Sequence, residues 1–367
     1  MRKALLFILT SFIFMGYTEE TVAQEPQKQA EDGWFMPDEG ATHRRTWMAF
    51  GARQDIWDDL LPDVQANLAL IAKTIAEFEP VTMLVRPADR KLAARLCGER
   101  VELVEAPLDD LWIRDTGPIF VVSRDGKLGA VDLNFNGWGK KQAHTNDAKV
   151  ARFVTEKTSA TYLKSDLVGE GGGIEVDGHG TAIITESCFL NKNRNPRLEK
   201  AACEKTLKKL LGLRTIIWLP GIRDQDITDG HTDFYARFAS PSTVVAGLES
   251  DPEAFDYKVT REHRKILQNV RDANERKLEV VTLESPQRIR RKLETEDFAA
   301  GYINYYVVNG AVIAPEFGDK QADARCKAVL EKLFPNRKVI QINIDAIAAG
   351  GGGIHCATLH EPLSTEE

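Results

Sequence analysis

From residue 34 onward, hydrophobic positions switch repeatedly between helical and strand spacing. Val64, Leu68, Ile71, Ile75 and Phe78 recur at three- and four-residue intervals, which predicts an amphipathic helix over Asp63–Phe78. Val81–Val85 follows as a short apolar run stopped by Pro87, a buried strand. Lys91–Leu96 and Val101–Ala106 repeat the pair as helix and strand. Hairpins come next. Ile119–Ser123 and Leu128–Phe135 flank Arg124-Asp125-Gly126, Ile174–Val176 and Thr181–Thr185 flank Asp177–Gly180, and the strands near Val307 and Ala311 flank Asn309-Gly310. Helices predicted over Pro196–Leu211 and Gln321–Phe334 lead into strands at Thr215–Leu219 and Lys338–Ile344.

The order helix, strand, glycine- or acid-rich loop, hairpin keeps returning, and two loops echo each other: Gly169-Glu170-Gly171-Gly172-Gly173-Ile174 and Gly350-Gly351-Gly352-Gly353-Ile354. A weak internal repeat of supersecondary units fits this pattern, and units set around an axis would bring distant loops to one point. No Pro/Ser-rich linker interrupts residues 34–367, which read as one α/β domain. Ahead of it, Arg2-Lys3, the apolar run Ala4–Tyr17 and the small residues of Val22-Ala23-Gln24 have the layout of a signal peptide over 1–24. Residues 25–33 read as a polar, disordered lead. The expected destination is the periplasm or the exterior, with no membrane attachment once the leader is removed.

Composition narrows the function. A net charge of −7 disfavours nucleic acid, whose phosphates need a clustered basic surface. The five cysteines, Cys97, Cys188, Cys203, Cys326 and Cys356, form no CxxC pair and no zinc-like cluster. Four of them default to small buried hydrophobes. Cys356 follows a glycine run at an expected strand start, the open, polar setting a reactive thiol needs.

Acids and a histidine supply the rest. Asp109-Asp110-Leu111-Trp112-Ile113-Arg114-Asp115 is either a solvated acidic loop or a cation site, where an indole face could stack on a planar cation held by carboxylates. Glu170 precedes three glycines in a spacing that fits no phosphate loop. His231 and Asp233, two apart, would share one face of an extended segment, although an isolated His-x-Asp is as readily a surface histidine. Asn134–Gly139 carries no assigned chemistry. A Cys and a His alone suggest acyl transfer, but a surplus of carboxylates would oppose a developing oxyanion and instead suits a guanidinium.

At LWIRDTGP (111–118), FNGWG (135–139), GEGGGIEVDGHGT (169–181), NKNRNP (191–196), IIWLPG (216–221), DGHTD (229–233), NYYVVNGAVIAPEFGD (304–319) and GGGGIHC (350–356), the chain resembles the agmatine deiminase and bacterial peptidylarginine deiminase family of the guanidine-modifying pentein superfamily. That resemblance implies a five-bladed, pseudo-fivefold α/β propeller and a cofactor- and metal-free hydrolase. It implies Cys356 as nucleophile, His231 as general acid and base, Asp115 and Asp233 as the guanidinium grip, Glu170 at the guanidinium or the hydrolytic water, and Trp112 beside the substrate. The substrate it implies is a small guanidine, with oligomeric state left open. One departure bears on specificity: members that act on agmatine usually carry Glu-Thr-Asn-Gly-His where this chain has Ile227-Thr228-Asp229-Gly230-His231. Asp226 or Asp229 would have to replace the missing acid for the far amine. Arginine, free or peptidyl, therefore stands as the alternative substrate, and a cysteine amidase or peptidase as the alternative chemistry.

Overall fold

The computed structural model describes residues 33–364, so the leader reading of 1–24 and all but the last residue of the 25–33 lead lie outside the described residues. The rest is a mixed α/β structure of five separate open sheets. Four of them share one connectivity: an antiparallel hairpin, a helix, then a strand that pairs parallel to the second hairpin strand. The first such unit is β5 (Ile119–Ser123), β6 (Leu128–Asp132), helix Val150–Thr158 and β7 (Thr161–Lys164), with β1 (Trp34–Phe35) added at its edge. Next come β8 (Ile174–Val176), β9 (Thr181–Thr185), helix Lys200–Leu211 and β10 (Thr215–Leu219). The third unit is β11 (Ala236–Ser240), β12 (Thr243–Leu248), helix Tyr257–Leu267 and β13 (Glu279–Glu284). The fourth is β14 (Tyr306–Val308), β15 (Ala311–Glu316), helix Lys320–Leu333 and β16 (Lys338–Asn343).

The fifth unit is assembled from both ends of the described chain. β17 (Leu359–Pro362) lies antiparallel to β2 (His43–Phe50), and helices Leu61–Ile75 and Arg90–Cys97 lead to the parallel strands β3 (Val81–Val85) and β4 (Val101–Glu105). Helix Leu61–Ile75 has Pro within its first two positions, where a missing N–H costs nothing. It buries Val64, Leu68, Ile71 and Ile75, the stripe its periodicity predicts. That stripe joins Phe50, Met83 and the hairpin Tyr306–Ala314 in the largest buried cluster. The C-terminal segment carrying Cys356 is thus locked to the N-terminal part of the domain.

Two predicted elements differ. The helix expected from Pro196 begins at Lys200. Asn195 spends its side-chain amide on the carbonyls of Val168 and Phe189, and Arg197 takes a left-handed φ of 67°, so the chain cannot wind earlier. His231 is extended, but Thr232–Phe234 forms a 3₁₀ turn, so Asp233 reaches its place by a bend rather than along a strand.

Candidate active site

Each unit delivers a polar residue from the loop just before its first hairpin strand. Asp115 precedes β5, Glu170 precedes β8, His231 and Asp233 precede β11, Asn304 precedes β14, and Cys356 precedes β17. The repeat therefore converts five distant loops into one cluster, as the recurring order of elements suggested.

At its centre Gly172 has almost no room. A Cβ there would stand 2.6 Å from His231 Nδ1, 2.9 Å from Asp115 Oδ1 and 3.2 Å from Asp233 Oδ2. The same glycine donates its N–H to Asp115 Oδ1 at 3.1 Å, and Trp138 Nε1 donates to Asp115 Oδ2 at 2.9 Å. His231 is flanked on both sides, with Asp115 Oδ1 3.6 Å from Nδ1 and Glu170 Oε2 3.5 Å from Nε2. Burial opposes a charge on His231, but the Asp115 carboxylate, followed by the hydrogen-bonding contacts with Cys188 and Glu170, outweighs it and holds the imidazolium well above the usual histidine range.

Glu170 is fully buried behind His231. Arg194 Nε sits 2.9 Å from both its oxygens, and Cys188 Sγ donates to Oε2 at 3.3 Å. Against the pull of burial, His231 and Arg194 keep its carboxyl below the usual range. Arg194 in turn binds Asp229 Oδ2 at 2.7 Å, and Lys141 binds Asp229 Oδ1 at 2.9 Å. Glu170, Cys188 and His231 offer metal-type donor atoms within 4.8 Å of one another, but Arg194 already supplies the positive charge on Glu170.

Cys356 corrects an expectation. It is one of five free, buried cysteines, 7% exposed, and it sits on the turn before β17 rather than at an open rim. Its setting is still polar: Asn304 Nδ2 lies 3.3 Å and Asp233 Oδ2 3.6 Å from its sulfur. Burial first, then the charges of Asp233 and Asp115, push its thiol well above the ordinary value. A cation bound between those carboxylates would cancel the electrostatic part of that shift.

A cavity of about 240 Å³ opens onto this cluster, with Cys356, His231 and Asp115 at its base. Trp57, Trp112, Trp138 and Phe234 form much of its wall, and Asp110, Asp297 and Ile227 also line it. Asp110 accepts from Trp57 Nε1 at 2.7 Å and Gln142 Nε2 at 3.0 Å, and burial raises its carboxyl to about 6. Among the described residues that line the cavity, none is Lys or Arg.

Trp112 thus lines the cavity, where it was expected, and two other expectations need correction. Asp226 does not line the cavity; its Oδ1 accepts from Thr228 N, Thr228 Oγ1 and Gly230 N and closes the loop that presents His231. Asp229 is likewise consumed, by Arg194 and Lys141. Asp110, part of the acidic stretch weighed as a cation site, lines the cavity, whereas sequence reasoning gave no role to Trp138 in its wall or to Asn304 and Arg194 beside the cluster. The signal for Asn304 was its place before the Tyr306 hairpin, the position that yields a site residue in every other unit.

Known proteins are similar to this chain over most of its length. A profile described as the Porphyromonas-type peptidyl-arginine deiminase family matches residues 35–362. The chain is 38% identical over 354 residues to the agmatine deiminase of Pseudomonas aeruginosa strain LESB58, covering 90% of this chain and 96% of that one. Among solved structures it is similar to the agmatine deiminase of Enterococcus faecalis, with a TM-score of 0.85, 30% identity, and coverage of 90% of this chain and 96% of that chain. A C. jejuni agmatine deiminase with substrate bound aligns with a TM-score of 0.79 at 26% identity, covering 89% and 96% of the two chains.

Proposed function

The chain belongs to the Porphyromonas-type peptidyl-arginine deiminase family, and from that premise we propose that it hydrolyses agmatine to N-carbamoylputrescine and ammonia. As a guanidine deiminase it is a hydrolase of C–N bonds in linear amidines, a class it shares with relatives over most of their length. In our reading Asp115 and Asp233 take the guanidinium N–H groups. The bound cation lowers the cost of ionising Cys356, whose proton passes to solvent and whose thiolate adds to the guanidinium carbon. The His231 imidazolium gives its proton to the departing nitrogen, which leaves as ammonia. An amidino-thioether then remains on Cys356. Water adds to its carbon, His231 takes one of that water's protons, and the C–S bond breaks as the remaining hydroxyl proton passes to the departing sulfur, leaving the ureido product and the Cys356 thiol. Glu170 acts through His231, keeping it charged for the first half. We also read the five sheets as blades around a pseudo-fivefold axis, and residues 1–24 as an export leader.

The observation that carries agmatine over free arginine is the cavity wall, which presents Asp110, Asp297 and aromatic rings with no Lys or Arg. An α-carboxylate there would lack a cationic partner, whereas an amine tail meets acids. One feature favours a second reading, peptidyl arginine: Ile227, 37% exposed at the cavity, stands where an acid for the far amine would be expected. Purified enzyme offered agmatine, arginine and a C-terminal-arginine peptide should release ammonia and ureido product chiefly from agmatine. Preference for either arginine substrate would overturn the assignment.

A further inference from the structure

His355, the neighbour of the nucleophile, is fully enclosed, and the reaction outlined above gives it no task. Both its ring nitrogens face carboxylates: Nδ1 lies 2.7 Å from Asp233 Oδ2, and Nε2 lies 2.8 Å from Glu39 Oε2. Carboxylates only accept, so a ring that bonds to both must donate from both nitrogens. Glu39 is itself held fast. Arg237 Nη2 binds its Oε1 at 2.7 Å, Arg114 Nη2 binds Oε2 at 3.0 Å, and the Val307 N–H adds a bond of 2.9 Å to Oε1. The result is a buried chain of alternating charge running from the interior to the reaction centre.

At the far end the two oxygens of Asp233 differ. Oδ2 is occupied by His355 and lies 3.6 Å from Cys356 Sγ, while Oδ1 is buried with no hydrogen-bond partner among the described residues, just behind the residues that line the cavity. A buried carboxylate oxygen left bare is costly unless a donor arrives, and a guanidinium is such a donor. We infer that His355, anchored by Glu39, is the positioning residue that fixes Asp233 with Oδ1 free for the substrate's guanidinium. This deepens the deiminase reading and rests on it. It also explains why a chain segment near the N-terminal end of the domain enters the site at all: Glu39 lies just before β2, the strand that pairs with the strand following Cys356.

A charge effect accompanies the orientation. Burial alone would raise the Asp233 carboxyl, but the hydrogen bond and charge of His355, with help from His231 and Arg237, hold it below the usual range. Asp115 and Cys356, the other groups near it, oppose that effect when charged. Removing the imidazolium should therefore let Asp233 protonate at higher pH, moving the acid limb of kcat/KM upward.

Two isosteric variants separate the halves of the ring. His355→Asn keeps a donor near the Nδ1 position, toward Asp233; His355→Gln keeps one near Nε2, toward Glu39. With agmatine across a pH series, H355Q should lose about 10- to 100-fold in kcat/KM, with its acid limb at higher pH. H355N should recover part of that loss and shift the limb less. Equal losses with the acid limb unmoved would mark His355 as merely structural, and wild-type kinetics in H355Q would overturn the inference outright. If thermal melts show H355Q unfolded, H355N decides alone: an acid limb at the wild-type position overturns the inference, and an upward shift supports it. Wild-type enzyme idle on every guanidine would defeat the deiminase reading instead, a result distinct from active wild type with unchanged variants.

Discussion

The two glycine runs look alike in sequence, yet they do different physical work. In the first, Gly171–Gly173 form a short 3₁₀ turn with ordinary φ values, so none of them is glycine for its backbone angle. Space decides. A Cβ at Gly171 would overlap the Arg114 carbonyl, and one at Gly172 would enter the gap where His231, Asp115 and Asp233 converge. In the second run, Gly351 has a φ of 84° and a Cβ there would make only ordinary contact with Asp297, so there the angle decides. Cβ atoms at Gly350, Gly352 and Gly353 would overlap Trp57, Trp112 and the Asn304 side chain, respectively. One loop lets charges meet; the other lets rings and an amide close around a thiol. Close approach of neighbouring atoms requires glycine at Gly171, Gly172, Gly350, Gly352 and Gly353, and the backbone angle requires it at Gly351.

The largest effect should come from the second loop's cargo. Cys356→Ala removes the proposed nucleophile and should drop turnover to background while agmatine still binds, measured by calorimetry; retained turnover would end the covalent mechanism. Gly172→Ala should follow. Its methyl meets buried side chains on several sides, and a displacement near 1 Å at reacting groups costs about 100-fold. We expect kcat to fall by roughly that factor with circular dichroism unchanged. Were it as mild as a surface substitution, the first loop would not be a spacer for charge.

Glu170→Gln probes the same loop through pH. After Asp115 and Cys188, this carboxylate helps hold the His231 imidazolium well above its usual range, so the neutral amide should let it deprotonate earlier. Because the first half-reaction uses the charged ring, the alkaline limb of kcat should move to lower pH. Loss of the charge facing Arg194, both side chains fully buried, should also destabilise the fold by about 3–5 kcal/mol. An unmoved alkaline limb would show that Glu170 does not tune His231. Gly352→Ala then tests the other loop. It displaces the Trp112 ring rather than a charged group, so KM should rise by about tenfold with kcat nearly kept. A kcat loss matching Gly172→Ala would erase the distinction between the runs.

How much of this was legible follows from the same contrast. Helix Leu61–Ile75 and the hairpins were readable because burial periodicity and turn chemistry are local properties. Cys356, His231, Asp115, Asp233 and Glu170 were readable because acids and a thiol beside glycines are unusual in composition and belong to a family pattern. Asn304 was not, because its value lies in bonding the backbone N–H groups of His355 and Cys356 across some 50 residues. Trp138 was read as part of a turn, and only the fold brings its indole N–H to Asp115. The apparent exposure of Cys356 failed for a related reason: a glycine run suggests an open loop, but Trp57, Trp112 and Asn304 fill the space those glycines leave.

The smallest expected effect concerns Cys188, the thiol that lies nearest in character to Cys356. Burial is the first cause that disfavours the thiolate in both, and a carboxylate adds to it, Asp233 for Cys356 and Glu170 for Cys188, although Arg194 and His231 offset it in part at Cys188. What separates them is access. Cys356 lines the cavity, where a cationic substrate can offset its neighbouring charges, while Cys188 lies outside it with its S–H directed at Glu170. Cys188→Ser keeps a donor for that carboxylate, and an O–H is the stronger one. It should hold kcat and KM within about threefold, at a stability cost near 1 kcal/mol for the lost sulfur contacts, a melting shift of about 2 °C or less in a chain of this size. If instead C188S matched C356A, catalysis would need both thiols, and the assignment of one loop to charge and the other to the nucleophile would fail, because the thiol beside Glu170 belongs to the first loop's surroundings.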